Sequence, residues 1–149
     1  MDPFGPNKLK YRLQPAPPEF PNCRLDPLTG KITKNVKQVD TGLDYTWYVD
    51  GYFKTPEILY SYWDQYGRPS ENINEKINYS PQIWNDFVEV VAPYFYPMAL
   101  TPINMVEELI GGVTFGRIAY YIRKDPQFIH DIMKEYTKTN LEIIKRYNE

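Results

Sequence analysis

Two polar side chains sit where a backbone turn could present them to a ligand. Thr101 and Asn104 bracket the first turn of a short helical segment that follows the apolar run 93–100, and Glu107 and Glu108 lie about one turn further along. Thr101-Pro102 reads as a helix start, because a capping hydroxyl accepts from an orphan amide and proline at the first helical position forfeits no hydrogen bond. The residues before it, 94–100, read as a buried strand, and Gly111-Gly112 as the left-handed turn that closes the helix. In α/β folds ligands gather where the C-terminal end of a strand faces a helix N-terminus, since free amides and the positive end of the helix dipole converge there. Thr101, Asn104 and Glu107 are therefore the candidate substrate-binding residues. The plainer roles of the same positions are a cap and two exposed helical side chains.

Other chemistry-bearing residues stand apart. His130 is the single histidine and falls beside the apolar stripe of a long helix, with no nucleophile or carboxylate at the spacing of a triad. Cys23 is the single cysteine, so no internal disulfide forms, and one Cys with one His does not make a Cys/His zinc site. Gly111-Gly112 and Gly116 lack the spacing of a phosphate-binding loop, and no G-x-S-x-G elbow occurs. The sequence predicts no metal or cofactor bound by this chain itself.

The elements that must position these residues divide at about residue 54. Before it, Pro and Gly punctuate short strands at 9–13, 22–25, 31–36 and 45–49, with a hairpin turn at Asp26 to Gly30. This is an irregular β-rich arm, 1–54, too poor in aliphatic residues to make a core alone. From 55 to 149 the chain turns helical, and Thr55-Pro56, Ser80-Pro81, Thr101-Pro102 and Asp125-Pro126 repeat one start signal. The first helix runs to Tyr66 with Gly67 beyond it and an apolar face of Ile58, Leu59, Tyr62, Trp63 and Tyr66. The second runs to Val91. A further helix at 114–124 turns Phe115, Ile118, Ala119 and Ile122 inward, and the last runs from Asp125 with Ile129, Ile132, Met133, Tyr136, Ile143, Ile144 and Tyr147 in its stripe, interrupted by Asn140.

Composition excludes some partners. A net charge of -2, from 17 basic and 19 acidic residues, supplies no field for a phosphate backbone, so nucleic acid is not expected. No window of about 18 apolar residues occurs, and the start lacks a charged and then apolar leader, which points away from membranes and towards the cytoplasm. Aromatics make up 16% of the chain, including 14 Tyr, and serve either as half-buried packing or as a stacking or subunit-contact surface.

The run from Tyr94 through Gly112, with Phe115-Gly116-Arg117, Asp125-Pro-Gln-Phe-Ile-His130, Tyr136-Thr137 and Asn140, resembles the uroporphyrinogen decarboxylase superfamily, porphyrinogen decarboxylases and corrinoid-linked methyltransferases together. Val49-Asp-Gly-Tyr-Phe-Lys-Thr-Pro-Glu57 is similar to the segment leading into a surface helix in the methyltransferase-like branch, and Asp2-Pro-Phe-Gly5 to the end of an early barrel strand. The resemblance covers nearly the whole chain, with motifs of moderate specificity. It implies an α/β fold, a partial (β/α)8 TIM barrel, since 149 residues fall short of the roughly 250 of a closed one. It also implies a tetrapyrrole, corrinoid or methyl-carrier substrate and a second polypeptide or homo-oligomer completing the barrel. Zinc or a corrinoid would come only with portions outside this chain. Asp2 matches the acidic residue that grips pyrrole N–H groups and is the catalytic candidate. Glu107 stands where the family places a supporting Tyr, an arrangement unfavourable to a carboxylate-rich substrate. The alternative is a non-catalytic binding or assembly subunit.

Overall fold

The computed structural model describes residues 10–11, 13–71, 77–78, 81–96 and 103–147. Strands come first. β1 (Lys10–Tyr11) pairs antiparallel with the distant β6 (Ile77–Asn78). β2 (Gln14–Pro15), β3 (Arg24–Leu25), β4 (Lys31–Lys37) and β5 (Asp44–Gly51) form one antiparallel sheet in chain order. The turn from Asp26 to Gly30 joins β3 to β4 as its composition predicts, with Gly30 at φ 77° and its amide donating to the Asp26 carbonyl at 2.8 Å. The sheet is open, with β2 and β5 as its edges, and it closes no barrel.

A bulge divides the β4–β5 hairpin into two parts. Ile32 lies opposite Asp50 but Thr33 lies opposite Tyr48, so one residue of β5 is left over and the ribbon twists there. Below the bulge Ile32 and Gly51 are buried, whereas every residue from 37 to 49 is exposed. The hairpin is therefore a root and a projecting arm.

Helices follow: α1 (Pro56–Tyr66), α2 (Pro81–Val91), α3 (Met105–Val113), α4 (Phe115–Lys124) and α5 (Pro126–Tyr147). α1 follows its start and stop signals, although Tyr66, expected on its buried face, is half exposed. The Thr55 hydroxyl accepts from the Ile58 amide at 3.4 Å, Gly67 at φ 77° donates to the Trp63 carbonyl, and Leu59, Tyr62 and Trp63 are buried. None of the helices is long and apolar enough among the described residues to cross a membrane.

Three expectations need correction. Residues 94–96 are not a buried strand; they leave α2 through a turn in which the Tyr94 and Phe95 amides donate to the Val91 carbonyl, and all three rings are exposed. These bonds hold the backbone in a helix-like turn, and no strand among the described residues pairs with it; residues 97–100 lie outside the described residues. Gly111 and Gly112 do not end α3. They lie within it, and Thr114, at φ 76°, makes the terminating turn by donating to the Ile110 carbonyl. In α4 only Ile118 is buried, while Phe115, Ala119 and Ile122 are exposed, because a single side of this short helix meets α3 and α5.

What α3 gains from its glycines is contact. A Cβ on Gly112 would lie 1.9 Å from the Thr29 carbonyl oxygen, one on Gly51 would lie 2.3 Å from the Gly112 oxygen, and the Gly112 carbonyl accepts from the Phe53 amide at 3.0 Å. Backbone thus meets backbone where α3 crosses the root of the sheet. Around this junction Leu28, Ile32, Phe53, Leu59, Ile103, Phe128, Ile132 and Tyr136 make the core.

α5 lies along the core and anchors its neighbours by polar bonds. Buried Glu135 accepts from the Ser70 amide at 2.8 Å and from the Ser70 hydroxyl, with Arg68 and Lys138 nearby, which fastens the segment after α1. The Tyr60 hydroxyl donates to Asp131 at 2.8 Å. Burial, first, and that carboxylate push the Tyr60 phenol up to about 12.

The junction yields opposite expectations for two glycines. Gly112→Ala forces the Thr29 backbone aside and is expected to destabilise by about 2–3 kcal/mol despite alanine's better helix propensity. Gly116→Ala, in α4 with nothing within 4 Å of its Cβ, is expected to be neutral or to stabilise by up to about 1 kcal/mol. Urea unfolding of the two variants beside the parent protein measures both.

Candidate functional site

The N-terminus of α3 brings together two of the three residues expected to bind substrate. Asn104 occupies the cap position, yet its side chain makes no capping bond; its Nδ2 donates instead to Glu107 Oε2 at 3.2 Å, and both residues are exposed. Thr101 and Asp2 lie outside the described residues. The entry to the helix is fixed from α5, where Asn140 Oδ1 accepts from the Ile103 amide at 3.3 Å and Asn140 Nδ2 donates to the Ile103 carbonyl at 2.9 Å. The polar interruption in the α5 stripe is thus a clamp on the start of α3.

One position further, Glu108 turns towards the sheet and pairs with Lys31 Nζ at 2.8 Å, both side chains largely shielded. The stem of Lys31 runs over Gly111, where a Cβ would lie 2.5 Å from its Cε. Behind this pair lies the carboxyl of Asp26, 7% exposed. Its Oδ1 accepts from the Leu28 amide at 2.8 Å and its Oδ2 from the Thr29 hydroxyl at 2.9 Å. Tyr136 donates its hydroxyl to the Thr29 carbonyl at 3.1 Å, tying the same turn to α5.

Burial pushes the Asp26 carboxyl up to about 6; the two hydrogen bonds oppose the rise, and the Glu108 charge adds to it. A carboxyl poised near neutrality is a potential acid or base. Here both oxygens are engaged within a closed turn, so its role is to fold the turn that receives α3. The Asp-Pro-Leu-Thr-Gly pattern announces a turn in the sequence, but nothing local announces its burial.

Metal chemistry finds no ligand set in this part of the molecule. Among the described residues no three of His, Cys, Asp and Glu come together. Cys23 is buried with its thiol towards the Pro21 carbonyl, and His130 is exposed on α5.

Among the described residues, two open concavities stand out, and neither is lined by Asn104 or Glu107. The larger, about 560 Å³, runs between α1 and the segment from Gln14 to Pro17. Its aromatic side is built by Tyr52, Tyr62 and Tyr66; the Tyr62 ring lies 5.8 Å from that of Tyr52 and 4.7 Å from that of Tyr66, between centroids. The Tyr62 hydroxyl donates to Gln14 Oε1 at 3.1 Å, bridging the two walls, and burial raises its phenol far above the usual range. The smaller, about 380 Å³, lies among Pro15, Pro17, Pro18 and Pro21.

Asp26 gives a pH signature. Its ordinary value of 3.8 rises to about 6 in the folded state, so the folded form binds the proton more tightly. The associated stability is fully present below the ordinary value and is lost as pH rises through about 6, a change on the order of 3 kcal/mol. Asp26→Asn removes this dependence. The difference in unfolding free energy, parent minus variant, is expected to fall between pH 4 and pH 7; urea titrations at several pH values follow it, and a difference that stays flat or rises contradicts the assignment. Compared with family models, with curated proteins and with solved structures, the chain matches none.

Proposed function

We propose that this chain is part of a uroporphyrinogen decarboxylase-like α/β assembly acting on a tetrapyrrole, corrinoid or methyl-carrier substrate, and that its own contribution is to join that assembly. The observation that carries the assembly role is the β4–β5 arm. Trp47 is 60% exposed and Leu43 66%, with Tyr45 and Tyr48 close to half exposed on the same strand. Tyr45 and Trp47 sit edge to face, 6.1 Å between centroids, in a preformed aromatic pair. β5 is also a sheet edge, whose outward backbone groups have no strand partner among the described residues. Apolar surface joined to an open edge is the chemistry of a surface that another chain covers.

The barrel and the substrate class rest on the sequence resemblance. In the decarboxylase branch, protonation of a pyrrole creates the electron sink and a carboxylate stabilises the cation that forms. Asp2 would supply that carboxylate. A non-catalytic reading is favoured by a separate observation: the carboxyl of Asp26, which burial raises to about 6, is sealed inside a turn.

Light scattering during size exclusion tests the assembly role. The parent protein is expected to run above its monomer mass, alone or with its partner chain. Tyr45→Ser with Trp47→Ser is expected to return it to the monomer mass while moving the unfolding midpoint little, because exposed side chains contribute little to folding. A well-behaved parent monomer that binds no partner would sink the proposal. A second expectation concerns the substrate. Glu107→Gln should leave stability unchanged and strengthen binding of a carboxylate-rich porphyrin to the assembled protein, followed by porphyrin absorbance; unchanged affinity removes Glu107 from the site.

A further inference from the structure

The groove along α1 has a chemistry separate from the assembly arm. Ile58, Tyr62 and Tyr66 line it as one i, i+4 row, and Glu57, Ser61 and Gln65 as the adjacent row. The helix thus offers an apolar and aromatic strip beside a polar strip, each repeating about every 6 Å. Among the described residues that line it only one is charged, and it is Glu57. The carboxyl is held below the usual carboxylate range by its own backbone amide and the Thr55 hydroxyl, so it is ionised at neutral pH.

The opposite wall decides how a ligand can be held. β2 is the sheet edge there, and it carries Pro15, followed by Pro17 and Pro18. Prolines have no amide to donate, so an incoming peptide cannot add to this edge as a further strand. It must be gripped through ring faces and side-chain polar groups. A polyproline II segment meets that requirement: it makes no internal hydrogen bonds, its carbonyls seek donors, and its rings stack on aromatic surfaces with little ordering cost. The span from Glu57 to Gln65, about 12 Å of helix, matches about four residues of such a segment.

We propose that the groove between α1 and the Gln14–Pro17 segment binds a proline-rich peptide carrying a basic residue, its prolines on Tyr52 and Tyr66 and its cation at Glu57. Charge complementarity selects the cation, since a carboxylate beside tyrosine faces attracts an arginine or lysine head and no cation among the described lining residues opposes it. Ser61 and Gln65 donate to the ligand's carbonyls.

The test is calorimetric titration of the full chain with a blocked heptapeptide of prolines with one central arginine. Three further titrations accompany it: the same peptide with glutamate for arginine, an alanine peptide with the central arginine, and arginine amide alone. Saturable binding of the proline–arginine peptide is expected, weakened about threefold to fivefold by Glu57→Gln and by a similar factor by Tyr66→Ala, with unfolding midpoints unchanged. Added salt should erase the effect of Glu57→Gln and leave that of Tyr66→Ala. No saturation up to about 1 mM overturns the proposal. Equal binding of the glutamate peptide, equal binding of the alanine peptide, equal binding of arginine amide, or indifference to both substitutions overturns it as well.

Discussion

The structure depends on one close approach. α3 crosses the root of the β4–β5 hairpin at backbone contact distance, with Gly112 against the Thr29 carbonyl and Gly51 against Gly112. No side chain fits between the two layers. The Phe53 amide donates to the Gly112 carbonyl and the Tyr52 amide to the Gly30 carbonyl, so the same contact also satisfies donors that a buried loop would otherwise leave unpaired. Helix, turn and strand become one unit, and the side chains of Phe53, Leu28 and Tyr136 fill the space around it.

Polar groups inside this unit hold loops more than regular elements. Asp26 closes the turn that receives α3, Glu135 fastens the segment after α1, and Asn140 clamps both backbone groups of Ile103. Each replaces water for groups that packing has removed from it, and each would cost more broken than it contributes intact. Two of the three sit on α5, which makes that helix the frame on which the irregular part of the chain is ordered.

The two surfaces proposed for binding both lie at the edges of the unit. The arm beyond the bulge and the groove beside α1 are places where aromatic surface stays in contact with solvent after the core is complete. They differ in kind. The arm sets exposed Leu43, Tyr45, Trp47 and Tyr48 among charged residues and ends in an open strand edge, whereas the groove has proline on one wall, tyrosine on the other and one negative charge among its described lining residues.

Three helix starts and the N-terminal hairpins were legible in the sequence because capping residues, prolines and turn glycines act within a few residues of themselves; the start read at Thr101-Pro102 was not one of them, since α3 begins at Met105 behind Asn104. Thr55-Pro56 with Gly67 fixed α1, and Asp26 to Gly30 fixed the β3–β4 turn. The apolar stripe of α5 was legible in part through its helical period: Ile132, Tyr136 and Ile143 are buried, Ile144 is exposed, and buried Phe128 lay outside the expected stripe. Burial was less so. The tyrosines and phenylalanine at 94–96 look like core by composition and are exposed, while Asp26 and Glu135 look like surface and are buried. For Gly111-Gly112 the same residues served a role different from the one their type suggests, since a missing Cβ can favour a left-handed turn or admit a neighbour, and only the presence of Thr29 across the gap selects the second. Local conformation is set by interactions a few residues long and is written in the sequence; which face is covered, and by what, is set by contacts between residues far apart in the chain, and the tertiary structure alone decided it.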